Sequence, residues 1–148
     1  MRVFATALIR APHDKVWAVL TDFPSMHRWF LGLTDVRLVG PARIGTERRV
    51  TFVGGLTHRE TITAWSPPAH LELVAAGPSG PIAAGARVDI HLAEDPGGVR
   101  IDWSIEYRLS LGRLFSALVV PLGRGIVGAA LRLSLARLKR LAQTAAQN

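Results

Sequence analysis

A chain of 148 residues, 49% hydrophobic and 20% charged, has the length of one domain and enough apolar content for a core, which excludes an intrinsically disordered chain. It contains no cysteine, so disulfides and thiolate-based metal or redox chemistry are excluded. The net charge of +7 is unevenly placed: residues 1–107 hold eleven basic and eleven acidic residues, whereas Arg108, Arg113, Arg124, Arg132, Arg137, Lys139 and Arg140 follow with no acid among them.

In chain order, residues 2–10 alternate as a first strand, with Val3, Ala5, Ala7 and Ile9 on one face. "APHDKVWAVLTD" predicts a helix starting at Pro12, with Val16, Trp17, Val19 and Leu20 as its apolar side. A second short helix is expected after "DFPS", anchored by Met26, Trp29 and Phe30. The period then switches to two, predicting strands at 34–40, 45–53, 57–66, 70–76, 85–93 and 98–109. Their connections "GPARIG", "VGG", "SPPAH", "GPSGPIAAG" and "EDPGG" carry turn chemistry, and their shortness favours antiparallel neighbours. From Leu111 to about Ala146 the helical period returns, with Leu114, Leu118, Leu122, Ile126, Leu131, Leu135 and Leu138 among its apolar positions. Pro121 with Gly123, Gly125 and Gly128 is expected to kink or divide that helix.

Strand parity sorts two faces. Arg37, Arg49, Thr61, Arg87, Asp89, His91, Asp102 and Glu106 fall on a wet one; Val36, Val50, Phe52, Ile62, Val88, Ile90, Leu92, Ile101, Trp103, Ile105 and Tyr107 fall on an apolar one. The terminal helix is the available cover, so the expected architecture is a curved antiparallel sheet wrapped round it. One strand, "GLTHRETITAW", contradicts its own pattern. His58 and Glu60 share the buried parity of Ile62 and Ala64. A carboxylate turned inwards costs several kcal/mol unless it is paired. Arg48 has inner parity on the preceding strand and reaches Glu60 if the hairpin register permits.

The segments "IRAPHDKVWAVLTDFPSMHRW" (9–29), "GTERRVTF" (45–52), "ETITAWSPPAHLEL" (60–73) and "SLARLKRLA" (134–142) resemble the START-like, birch-pollen-allergen-like helix-grip superfamily, also called SRPBCC, and within it the polyketide cyclase/dehydrase-like group. The resemblance spans essentially the whole chain, residues 1–148, as a single ligand-binding domain. It implies an α+β helix-grip fold: a seven-stranded antiparallel sheet gripping the C-terminal helix, with two short helices after strand 1 and an apolar ligand cavity between sheet and helix. Because the superfamily includes lipid carriers, receptors, polyketide aromatase/cyclases and ribosome-directed proteins, function must come from the pocket.

Within such a cavity, Arg48, His58, Glu60 and Tyr107 are the candidate catalytic or ligand-orienting groups. They serve either as a structural ion pair with its neighbours, or as groups that orient a polar ligand head and move a proton during cyclisation or dehydration. The expected ligand-lining residues are Trp29, Phe30, Val50, Phe52, Ile62, Val88, Ile90, Trp103, Ile105, Leu118, Leu122 and Ile126. Tyr107 and Trp103 are either plain core or a hydrogen-bonding and stacking pair for a ring-shaped ligand; Trp29 and Phe30 are either a lid or ordinary packing.

Other motifs fail. "GRGIVG" (123–128) follows no strand, so it is no dinucleotide site, and no G-x-S-x-G is present. The histidines at 13, 27, 58, 70 and 91 show no metal-site spacing, so neither metal nor cofactor is expected. DNA binding is not expected, for want of a recognition motif. RNA or an anionic membrane remains a candidate partner of the basic C-terminal helix, the alternative being a solvated helix face. The run 114–131 is interrupted by Pro121 and Arg124, unlike the about 20 nearly uncharged residues of a spanning helix. The N-terminus is unlike a signal peptide, so a cytoplasmic protein is expected.

Overall fold

The computed structural model describes residues 1–76, 83–109 and 113–148. The elements run β1 (Arg2–Ile9), α1 (His13–Thr21), a 3₁₀ helix (Phe23–Arg28), β2 (Leu33–Leu38), β3 (Glu47–Phe52), β4 (Thr57–Ser66), β5 (His70–Ala76), β6 (Ala83–Asp95), β7 (Gly98–Leu109) and α2 (Arg113–Ala145). The seven strands form one antiparallel sheet in the order β1-β7-β6-β5-β4-β3-β2. The two short helices carry the chain from one sheet edge to the other, and a meander then returns it until β7 closes on β1. This is the α+β helix-grip architecture, with α2 lying across the inner face.

Local chemistry explains the elements. Pro12 has φ −58° and ψ 147°, so it caps α1 from outside and the helix begins at His13, one residue later than the proline alone suggests. The second short helix is a 3₁₀ turn that starts inside "DFPS" and ends at Arg28, leaving Trp29 as its C-cap. Val16, Trp17 and Leu20 of α1, with Phe23, Met26 and Trp29, are buried against the inner sheet face. Such side chains contribute about 1.5–3 kcal/mol each when fully removed from water. At the end of the sheet next to α1, Gly98 starts β7 with φ +141°, and a Cβ there would lie 2.2 Å from the carbonyl oxygen of Ile9. Only glycine lets β7 approach β1 that closely.

Two expectations change. A register shift between Ile62 and Ala64 marks a β-bulge in β4. Beyond it Ala64 stands opposite Glu72 on the outer face, and Trp65 takes the inner place, 5.2 Å from Trp17. Strict alternation therefore misplaces Ala64, because a bulge inserts one residue that parity cannot count. Secondly, of the kink or division expected at Pro121, the division does not occur: α2 runs continuously through Pro121. Pro121 and Ala117, whose carbonyl loses its helical donor, are both exposed, so water can serve the freed acceptor. Gly128 is buried beside β1, where an added Cβ would meet Val3 at an ordinary 3.6 Å. The inward side of α2 is carried by Leu131, Leu135, Leu138 and Ala142, all buried. The turn "GPSGPIAAG" up to residue 82, the predicted helix start at Leu111, and the side chains of Leu114 and Leu118 lie outside the described residues. Among the described residues, no helix is long and apolar enough to cross a membrane.

Candidate functional site

Between the sheet and α2 lies a cavity of about 290 Å³. Its walls are mostly apolar: Val50 and Phe52 of β3, Val88 of β6, Trp103 and Ile105 of β7, Phe30 before β2, and Ile126, Val127 and Leu131 of α2. Among the described residues its polar lining side chains are Arg48, His58, Glu60, Tyr107 and Ser134, with the indole of Trp103 beside them.

The β3–β4 hairpin assembles the charged part. Phe52 and Leu56 close it through a backbone bond of 2.8 Å, and Gly54 and Gly55 both take positive φ, 88° and 79°. Side-chain-bearing residues avoid that conformation, so the two glycines hold the turn and with it the register. In that register Arg48 stands opposite Glu60 and Val50 opposite His58. Arg48 Nε and Nη2 both donate to Glu60 Oε2 at 2.6 Å, while His58 Nε2 lies 3.0 Å from Glu60 Oε1. The remaining faces of the guanidinium are occupied too: Nη1 reaches the Met26 sulfur at 3.6 Å, and the Phe23 ring centroid lies 4.9 Å from Cζ.

Burial decides the electrostatics. The side chains of Arg48 and Glu60 are only 4% and 7% exposed. Burial pushes the Glu60 carboxyl up, but the Arg48 guanidinium and the His58 hydrogen bond outweigh it and bring the pKa down to about 2. Glu60 is thus a permanent carboxylate at neutral pH: it cannot deliver a proton, and it is too weak a base to take one readily. For Tyr107, burial and then the Glu60 charge raise the phenol above its ordinary value, so it stays a neutral hydrogen-bond donor. His58 Nδ1 is buried without a hydrogen-bond partner among the described residues, as is Trp103 Nε1. Both residues line the cavity, and each keeps one polar atom without a partner just behind its surface.

Several expected lining residues are placed elsewhere. Ile62 and Ile90 are completely or almost completely buried in the core and do not line the cavity. Trp29 is likewise core, packed edge-on against Trp103 at 5.6 Å and Phe30 at 5.8 Å, so it braces the lining from behind. Leu122 is 69% exposed and outside the lining, whereas Ile126, 62% exposed, stands at the open side. Ser134 was not singled out by the helical pattern. Its hydroxyl donates to the Ala130 carbonyl at 2.8 Å and accepts from the Leu31 N–H at 2.9 Å, pinning the segment before β2 to α2. A lone serine on an apolar helix face was the signal for it. Outside the cavity, Arg124, Arg132, Arg137 and Arg140 are exposed on α2. His70 and His91, unremarkable by spacing, stand opposite one another on the outer sheet face beside Asp89.

Comparison with known proteins agrees with this architecture. TTHA0849 from Thermus thermophilus superposes with a TM-score of 0.77 at 15% identity, covering 98% of this chain and 99% of that one. A protein of unknown function from Staphylococcus aureus, SA2116, also gives 0.77, at 12% identity with 100% and 96% coverage. Ara h 8.0201 superposes with a TM-score of 0.63 at 16% identity, covering 100% of this chain and 99% of that one. At these identities the likeness is one of fold. No curated protein matches the sequence. Residues 1–143 match the family described as "Polyketide cyclase / dehydrase and lipid transport", and the chain belongs to that family.

Proposed function

We propose that this protein binds a small hydrophobic or aromatic molecule, polyketide-like or lipid-like, in the cavity between the sheet and α2. The observation that carries the reading is the composition of that cavity: an apolar wall with a few polar groups on β3, β4 and β7 and Ser134 on α2. Its volume of about 290 Å³ lies just below the roughly 300–1,000 Å³ typical of ligand pockets. That size suits a compact ring system or a short chain. The Phe30, Phe52 and Trp103 rings offer flat surfaces for such a body. The unpaired His58 Nδ1 and the Tyr107 phenol offer an acceptor and a donor for its polar end.

As an enzyme, the site would work by orientation, holding a flexible carbonyl chain against His58 and Tyr107 while Arg48 and Glu60 supply a fixed field. The low pKa of Glu60 removes it as a proton shuttle, which favours binding over cyclisation. The test is native mass spectrometry of freshly purified protein and of Ala130→Phe, which fills the cavity from α2, with extraction of anything bound and titration with an apolar naphthalene dye. A discrete hydrophobic mass or dye binding that the variant loses supports the reading. No bound mass and no dye binding in the wild type, or equal binding by both proteins, overturns it.

The exposed arginines support a second reading. Arg2, Arg124 and Arg132 line one shallow cleft beside β1, a surface suited to RNA or anionic lipid phosphates. Binding to a single-stranded RNA or to anionic vesicles should then weaken steeply with salt and vanish on charge reversal at Arg124 and Arg132; no binding at low salt ends it.

A further inference from the structure

We propose that His70, Asp89 and His91 form a binding site for one divalent transition-metal ion of the zinc class on the outer face of the sheet. His70 of β5 stands directly opposite His91 of β6, and Asp89 precedes His91 by one full pleat on the same face. His70 Nε2 lies 2.8 Å and His91 Nε2 3.2 Å from one and the same oxygen, Asp89 Oδ1. The three potential ligand atoms all lie within 4.8 Å of one another. A tetrahedral ion with bonds of about 2.0–2.2 Å needs ligand atoms separated by roughly 3.3–3.6 Å, so modest side-chain motion suffices.

The charge around the site points the same way. Each neighbouring carboxylate already has a cation: Glu72 is held by Arg87 at 2.8 Å, and Asp102 by Arg100 at 3.1 Å. Asp89 has only the two imidazoles as ion-pair partners among the described residues. The imidazoles are stacked, with centroids 4.0 Å apart and planes 10° from parallel. In that stack a nitrogen facing the carboxylate carries its proton, so to converge on one ion each Nε2 passes its proton to Nδ1 or to water and the rings open by rotation about their side-chain bonds. Both rings are partly exposed, so rotation displaces water and no core atoms.

The two imidazoles are borderline ligands and decide the preference over the single hard carboxylate. They favour zinc, cobalt, nickel or copper over magnesium or calcium, and leave a coordination position for water. The flanking Leu71 and Ile90 point into the core, so the ion would staple β5 to β6 from outside without touching the cavity. The site is therefore independent of the reading of the pocket.

The decisive experiment is calorimetric titration of tag-free, chelator-stripped full-length protein with zinc chloride, repeated with cobalt to read the visible bands of a low-coordinate ion. We expect one ion per chain, a higher melting temperature with zinc, and no response to magnesium. His70→Ala, Asp89→Asn and His91→Ala should each weaken zinc at least tenfold with the fold retained by circular dichroism. His27→Ala, at an exposed histidine elsewhere, should change nothing. Should a variant fail to fold, His70→Asn and His91→Asn replace it. Absent wild-type binding, or binding that the site variants leave intact, overturns the proposal.

Discussion

The two faces of the sheet carry nearly the same chemical parts to opposite ends. Inside, His58 and Arg48 close on Glu60; outside, His70 and His91 close on Asp89. The inner carboxylate is almost removed from water and has a fixed guanidinium, so its charge state is set by the fold. The outer carboxylate is about one-third exposed and, among the described residues, has only imidazoles as ion-pair partners, so it remains open to a metal ion. A carboxylate with an imidazole thus becomes part of a permanent structural field on one face and of an open ligand set on the other. Burial and the presence of an arginine make the difference.

That contrast can be broken most severely at Arg48. Arg48→Met leaves Glu60 buried without its cation and should cost about 3–5 kcal/mol of unfolding free energy, measured by urea denaturation at neutral pH. Next comes acid. The Glu60 carboxyl falls from its ordinary 4.5 to about 2 in the folded protein, so its contribution is complete above the unfolded value. It is lost as pH falls from about 4.5 towards about 2, an order-of-magnitude total of about 3 kcal/mol. Denaturation midpoints followed through that window should decline in the wild type. The decline should be much shallower in Arg48→Met/Glu60→Leu. That double variant should itself recover most of the loss of Arg48→Met, ending within about 1–2 kcal/mol of the wild type at neutral pH. If it is as unstable as Arg48→Met alone, the pair is not what the cavity wall depends on. The smallest effect is expected outside: Asp89→Asn in metal-free protein should change stability by less than about 1 kcal/mol, as surface ion pairs do. A loss comparable to that of Arg48→Met would abolish the distinction between the faces.

Much of the fold was legible in particular residues. The β4 and β5 strands appear at 57–66 and 70–76 as their alternation and flanking turns predict, and the inward parity of Glu60 pointed to a polar patch among apolar neighbours. Other residues needed the third dimension. Ile62 and Ile90 have inner parity like Val88, yet they lie in the packed part of the same face while Val88 borders empty space. Parity assigns a face but carries no information about where along it the covering helix stands off. Ala64 was misplaced by a bulge, and Ser134 gained its role from a backbone N–H distant in the chain.

The sequence by itself determined the order of elements, the two-faced sheet, the covering helix and the need for a partner to Glu60, because periodicity and the cost of a lone buried charge are local properties. Tertiary structure alone decided which apolar residues enclose a cavity and which fill the core. It also decided that Arg48 is the partner, and that His70 and His91 meet across β5 and β6. Those outcomes depend on strand register and on the path of α2 over the sheet. Both arise from packing the whole chain at once.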